Sequence, residues 1–272
     1  MKTHRITGGG GVELQVLETG NPKGRPIVFL HGASQSLLQW NRQLDSSLTE
    51  HHRLVAIDLR GHGLSGKPRD GYGDASLWAD DVAAVIRTLA LDHPVLSGWS
   101  YGPLVCLDYV RHYGEEGIGG LHFVGALTEL GTEAAMALLT PGFLAIFPQL
   151  LATDTEASID GLRGLLQLCF VEPPTDAELF LMLGYNLSVP PYVRHGLFSR
   201  SFSNGDVLAK LRKPVLITHG GKDAIVKPVA AERHKHAIPH AEVQLVPNAG
   251  HAVFWDDAPA FNERLHAFCE ST

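Results

Sequence analysis

Six short, mainly apolar runs limit most strongly how this chain can fold: residues 27–30, 54–57, 95–96, 121–124, 215–217 and 243–246, rich in Val, Ile and Leu and broken only by His122 and Gln244. With so little polar alternation, such runs suit strands covered on both faces, as in a parallel sheet. Between several of them, apolar residues recur at helical spacing instead: Trp78, Val82, Val85, Ile86 and Leu89; Leu104, Leu107 and Val110; and Phe261, Leu265 and Phe268 behind Pro259. Stripes of that period bury one helix face, so the alternation predicts an α/β chain with helices laid on a mostly parallel, twisted sheet. Two earlier segments, 4–7 and 12–17, flank Gly8 to Gly11 and read as an antiparallel hairpin at one sheet edge, with the glycines as its turn.

The strand ends fall near residues 30, 57, 97, 125, 218 and 246. Most neighbours are about one βαβ unit apart, on the order of thirty residues. The step from 125 to 218 is far too long for one unit. Residues 129–204 are therefore expected outside the repeating layer, and their Leu, Phe, Met and Ala content predicts a helical cap inserted into a core made of 1–128 and 205–272.

Composition narrows the partners. The chain has 272 residues, 44% of them hydrophobic and 19% charged, enough to bury a large core. Its net charge of −7 is scattered rather than gathered in a tail, which argues against nucleic acid or an anionic membrane and for a small neutral partner. The start MKTHRITGGGG has no apolar core of a secretory signal, and the longest apolar stretch, 138–152, is interrupted by Thr140, Pro141 and Pro148. Cys106, Cys169 and Cys269 are an odd set without ligand-like spacing, so free thiols of a reducing compartment, and a cytoplasmic protein, are expected.

The stretch GWSYG, 98–102, lies where the run at 95–96 meets the helical pattern of Leu104. A strand that passes directly into a helix turns sharply, and small flanking residues permit the turn. The expected result is an exposed Ser100 hydroxyl at the carboxyl end of a central strand, with the Tyr101 amide at a helix N-terminus facing any developing anion. A serine nucleophile needs a base, and the base an orienting carboxylate. Among 15 histidines His251 stands out, because VPNAGHAVF places it on a loop after an apolar strand. Asp223 occupies the corresponding loop after 215–217. HGAS, 31–34, offers a second oxyanion amide from Ala33, with Ser34 beside it, and His31 is expected to brace that loop. His122 and His219 are expected to pack beside strands, and His62 to lie at the surface. His234, His236 and His240 are expected along a solvated helix whose spacing does not converge on a metal.

HGAS (31–34), DLRGHGLSGKP (58–68), GWSYG (98–102), HGGKD (219–223) and NAGH (248–251) appear in that order. Together they resemble the serine hydrolases of the α/β-hydrolase superfamily that carry a helical cap. The resemblance implies an α/β-hydrolase fold, a Ser100, Asp223 and His251 triad, and an oxyanion hole from the amides of Ala33 and Tyr101. It implies a small-molecule ester substrate and no need for a metal or an organic cofactor. Ser34, Trp99, Phe143 and Phe147 are the candidate pocket residues, the last two from an apolar stretch that also holds Leu138, Leu139, Leu144 and Leu151. Pro103 stands where relatives usually carry a second glycine, and a helix's first turn accommodates it. Tyr101 replaces the Met or Leu common in perhydrolase-like and C–C-bond-cleaving relatives, which sets those activities, with lactone hydrolysis, behind hydrolysis of carboxylic esters.

Two other classes compete. GHGLSG, 61–66, satisfies the G-x-G-x-x-G pattern of dinucleotide sites, but Lys67 and Pro68 follow where a helix should open. Receptors with a hydrolase fold keep a similar triad and act by binding alone; efficient ester turnover separates an enzyme from these. The natural substrate and the oligomeric state are not written in the sequence.

Overall fold

The computed structural model describes residues 1–272. Ten strands are present: β1 (Lys2–Thr7), β2 (Glu13–Gly20), β3 (Arg25–Leu30), β4 (His52–Ile57), β5 (Val95–Trp99), β6 (Gly120–Val124), β7 (Glu129–Leu130), β8 (Phe202–Ser203), β9 (Val215–Gly220) and β10 (Glu242–Val246). Eight form one sheet in the order β1-β2-β4-β3-β5-β6-β9-β10, and β7 pairs with β8 apart from it. β1 and β2 are the antiparallel hairpin, β2 is antiparallel to β4, and every later pair in the sheet is parallel. All six apolar runs lie in strands of this sheet. The direction of strand order reverses at β3, so a crevice opens at the carboxyl ends of β3 and β5.

Alternate residues of each strand face opposite layers. Val28 and Leu30 of β3 join Trp78, Val82 and Val85 of α1 (Ala75–Thr88) and Leu104 and Leu107 of α2 (Gly102–Tyr113) in one core. Ile27 and Phe29 face a second core with Phe261, Leu265 and Phe268 of the C-terminal helix, Ala258–Glu270. The last run differs from expectation. Val243 and Leu245 are exposed, because β10 is a sheet edge that pairs with β9 alone.

Between β6 and β9 the chain leaves the sheet and forms six helices: α3 (Glu133–Leu138), α4 (Pro141–Leu150), α5 (Thr155–Cys169), α6 (Asp176–Leu187), α7 (Pro191–Phe198) and a single turn at Gly205–Leu208. The first four begin on a side-chain cap, from Thr132, Thr140, Asp154 and Thr175, the last within a full capping box with Glu178. The cap at Thr140 so divides the apolar stretch at 138–152 between α3 and α4. No helix of the chain is long and apolar enough to cross a membrane.

Candidate active site

β5 ends at Trp99 and α2 begins at Gly102, so Ser100 and Tyr101 make the whole turn. Ser100 adopts φ +58°, a left-handed conformation that a serine holds only when its surroundings enforce it. The flanking glycines have a steric cause. A Cβ on Gly98 would come within 2.6 Å of the Gly102 and Pro103 backbone, and one on Gly102 within 2.3 Å of the Leu30 carbonyl oxygen. Pro103 sits in the first turn of α2, where no backbone donor is required.

His251 donates from Nδ1 to Asp223 Oδ2 at 2.8 Å, and both residues are buried. The amides of Ile225 and Val226 donate to the other oxygen, Oδ1, at 2.8 and 2.9 Å. Burial alone would raise the Asp223 pKa, but the charge of His251 and hydrogen bonds from His219 and His251 outweigh it and hold the carboxyl well below the usual range. Trp99 donates from Nε1 to the His251 carbonyl at 3.0 Å, tying the base's loop to the strand that carries the serine. Ser100 and His251 line the same cavity. No hydrogen bond joins Oγ to the imidazole; catalytic bonds of this kind are commonly long before substrate binds.

The loop after β3 comes close to the serine, since a Cβ on Gly32 would lie 3.1 Å from Ser100 Cβ. The amides of Ala33 and Tyr101 have no acceptor within the chain. That of Ser34, a residue at φ +62°, is taken up by His62 Nε2 at 3.1 Å. His31 donates to the Gly32 carbonyl and accepts from the Leu59 amide, while His62 donates to the Arg60 carbonyl. The two rings meet edge-on at 4.9 Å. Burial pushes them down to about 4 and about 3, so both are neutral with the tautomers these bonds need. Asp58 completes the brace, accepting from the amides of Leu37 and Leu64 at 2.8 Å each.

A cavity of about 950 Å³, its open mouth included, lies over Ser100, and 15 of its 21 lining residues are hydrophobic. Ser34, Trp99, Phe143 and Phe147 all line it. Leu139 and Leu150 join them, whereas Leu138, Leu144 and Leu151 do not. Phe147 meets Phe198 of α7 edge-on at 5.0 Å, and both rings line the cavity.

A family profile described as the alpha/beta hydrolase fold matches residues 25–258. The chain belongs to the α/β-hydrolase family. The AB hydrolase superfamily protein YisY of Bacillus subtilis is 30% identical over 260 residues, 91% of this chain and 92% of that one. A non-heme haloperoxidase of Rhodococcus erythropolis is 28% identical, over 98% of this chain and 99% of its own. Among solved structures, the esterase RhEst1 from Rhodococcus sp. ECU1013 superposes with a TM-score of 0.94 at 32% identity, covering 100% of this chain and 99% of that one.

Two side chains of this α/β hydrolase lie elsewhere than expected. His62 is fully buried rather than at the surface, because the loop at 58–68 folds under the HGAS loop and uses His62 as its contact. His234 is also buried, against Thr128 Oγ1 at 3.1 Å, since it shares the inner face of its helix with Ala230 and Ala231. His219 is packed, as expected of a strand residue, but its Nε2 also faces Asp223 Oδ2 at 3.1 Å and the Val226 carbonyl at 3.0 Å. One residue escaped the sequence reading altogether. Gly125, at φ +50°, leaves room for His251: a Cβ there would stand 3.0 Å from Nδ1. Its only signal was a glycine directly after the run at 121–124.

Proposed function

We propose that this protein is a serine esterase for small, apolar carboxylic esters, working through a covalent acyl-enzyme. The observation that carries the reading is a serine held at φ +58° at the floor of an apolar cavity that it shares with a histidine bonded to a buried aspartate. Ser100 Oγ attacks the ester carbonyl carbon as His251 Nε2 takes its proton. Asp223 keeps the proton of Nδ1 in place and stabilises the imidazolium. The amides of Ala33 and Tyr101, without acceptors of their own, bind the oxyanion. His251 then gives its proton to the departing alkoxide, and a water molecule, deprotonated by the same ring, releases the acid and restores Ser100.

In this reading residues 129–204 act as a cap over a core of 1–128 and 205–272, and the apolar side chains of α4 and α7 hold the acyl group. Esterase neighbours such as RhEst1 support the same chemistry. The three buried, free cysteines suit a reducing compartment such as the cytoplasm.

The test is a p-nitrophenyl ester series from acetate to octanoate. Each buried methylene contributes about 0.8 kcal/mol, so two should raise kcat/KM roughly tenfold until the cavity fills. Ser100→Ala should lower kcat by roughly 10⁴ to 10⁶ with the fold intact, and an apolar phosphonate should label the wild-type chain once, at Ser100. Turnover by Ser100→Ala near the wild-type rate would remove the assignment, and binding without turnover or labelling would make the protein a receptor.

A further inference from the structure

His52 opens β4 at its amino end, whereas Ser100 follows the carboxyl end of β5; the two strands run the same way beside β3, so these are opposite edges of the sheet. At the edge away from the serine, His52, His266 and Glu270 bring one nitrogen or oxygen each within 4.8 Å of one another. His52 is buried, His266 half-buried and Glu270 exposed. His266 and Glu270, four residues apart on the C-terminal helix, share one helix face. His52 Nε2 and His266 Nδ1 are 2.8 Å apart, although their residues are separated by 214 positions in the chain.

Nitrogens at that distance hold one proton between them, with one ring donating to the lone pair of the other. We propose that His52 Nε2, His266 Nδ1 and a Glu270 carboxylate oxygen form a binding site for a divalent transition metal ion of the zinc class, with water completing the coordination. Two imidazoles and a carboxylate suit zinc, cobalt and nickel, whereas magnesium and calcium take all-oxygen sets. Zinc–nitrogen bonds of about 2.0–2.1 Å in tetrahedral array would part the two nitrogens by about half an ångström more than now. In the tautomer where His266 Nδ1 donates to His52, binding needs only that this proton move to Nε2 of the half-exposed His266. The ring of His51 lies 4.7 Å from that of His266, beside the site. The ion would pin the last turn of the chain to the start of β4, far from the ester chemistry.

The experiment compares the EDTA-treated wild type with His266→Ala and Glu270→Gln, by calorimetric titration with zinc chloride and by thermal unfolding. His266 is half-exposed, and the Tm of each variant in EDTA gives its own baseline. The wild type should bind one zinc ion more than His266→Ala, and Glu270→Gln should bind it at least about tenfold more weakly. At about a hundred times Kd, zinc should raise the wild-type Tm by about 5 °C and leave that of His266→Ala nearly unchanged. Magnesium chloride should do nothing to either. Equal zinc stoichiometry and equal Tm shifts in wild type and His266→Ala would overturn the site, as would a wild type that zinc does not affect.

Discussion

Ser100 and His251 are each held by the absence of a side chain next door. For the serine, Gly98 and Gly102 let a strand, a turn and a helix pass within contact of β3. For the histidine it is Gly125, whose left-handed backbone and missing Cβ leave the imidazole free to meet Asp223. Gly125→Ala would add backbone strain of about 1 kcal/mol and push a methyl group against Nδ1. The expected result is a fall in kcat of roughly ten- to a hundredfold with KM little changed, because the base is displaced while the cavity is not. Steady-state kinetics on a short-chain p-nitrophenyl ester decide this; an unchanged kcat would mean that His251 does not depend on its present position.

The elements between β6 and β9 are attached to the rest of the molecule through a buried ion pair. Arg200, just before β8, donates from one nitrogen to both oxygens of Asp108 on α2 at 2.8 Å, and from another to the Tyr101 hydroxyl at 3.1 Å. Tyr101 is also the residue whose amide has no acceptor within the chain, so the anchor of the helical segment and the proposed oxyanion hole share a residue. Arg200→Ala would leave the Asp108 carboxylate buried without its partner, a loss of about 3–5 kcal/mol. Arg200→Met combined with Asp108→Leu should lose much less, since no charge is then stranded. Urea unfolding of both variants checks this, and equal losses would show that packing rather than charge makes the anchor. Sequence spacing found the helix that carries Asp108, and composition put helices in the segment that carries Arg200, but nothing local in the chain joins position 200 to position 108.

For the whole molecule, buried histidines set the response to acid. Burial pushes His31, His52 and His234 down to about 4, and His62 and His122 to about 3, against about 6.5 in an unfolded chain. Between those values the unfolded chain binds protons that the folded one refuses, so stability present above pH 6.5 is lost as the pH falls, by up to about 1.4 kcal/mol per pH unit for each group. Asp81 and Asp108 oppose part of this: burial raises both to about 6 despite their arginine partners, and the folded chain takes up their protons first. Near pH 5 the balance is an uptake of about three protons on unfolding. The Tm should therefore fall by several degrees between pH 7 and pH 5, and a Tm flat over that range would show that these histidines are charged in the folded protein. The alternation of apolar runs with helical spacing was enough, from the sequence alone, to set out the parallel sheet, the long departure between β6 and β9, and the turn at Ser100, because periodicity and turn sterics act over a few neighbouring residues. Where Asp223 and His251 stand, each on a loop after a strand, was legible for the same reason. That His62 lies under the HGAS loop, that His219 shares the Asp223 carboxylate, that Gly125 makes room for the base, and that His52 meets His266 were decided by tertiary structure, since a pattern of burial says that a side chain turns inward but not which distant one it meets there.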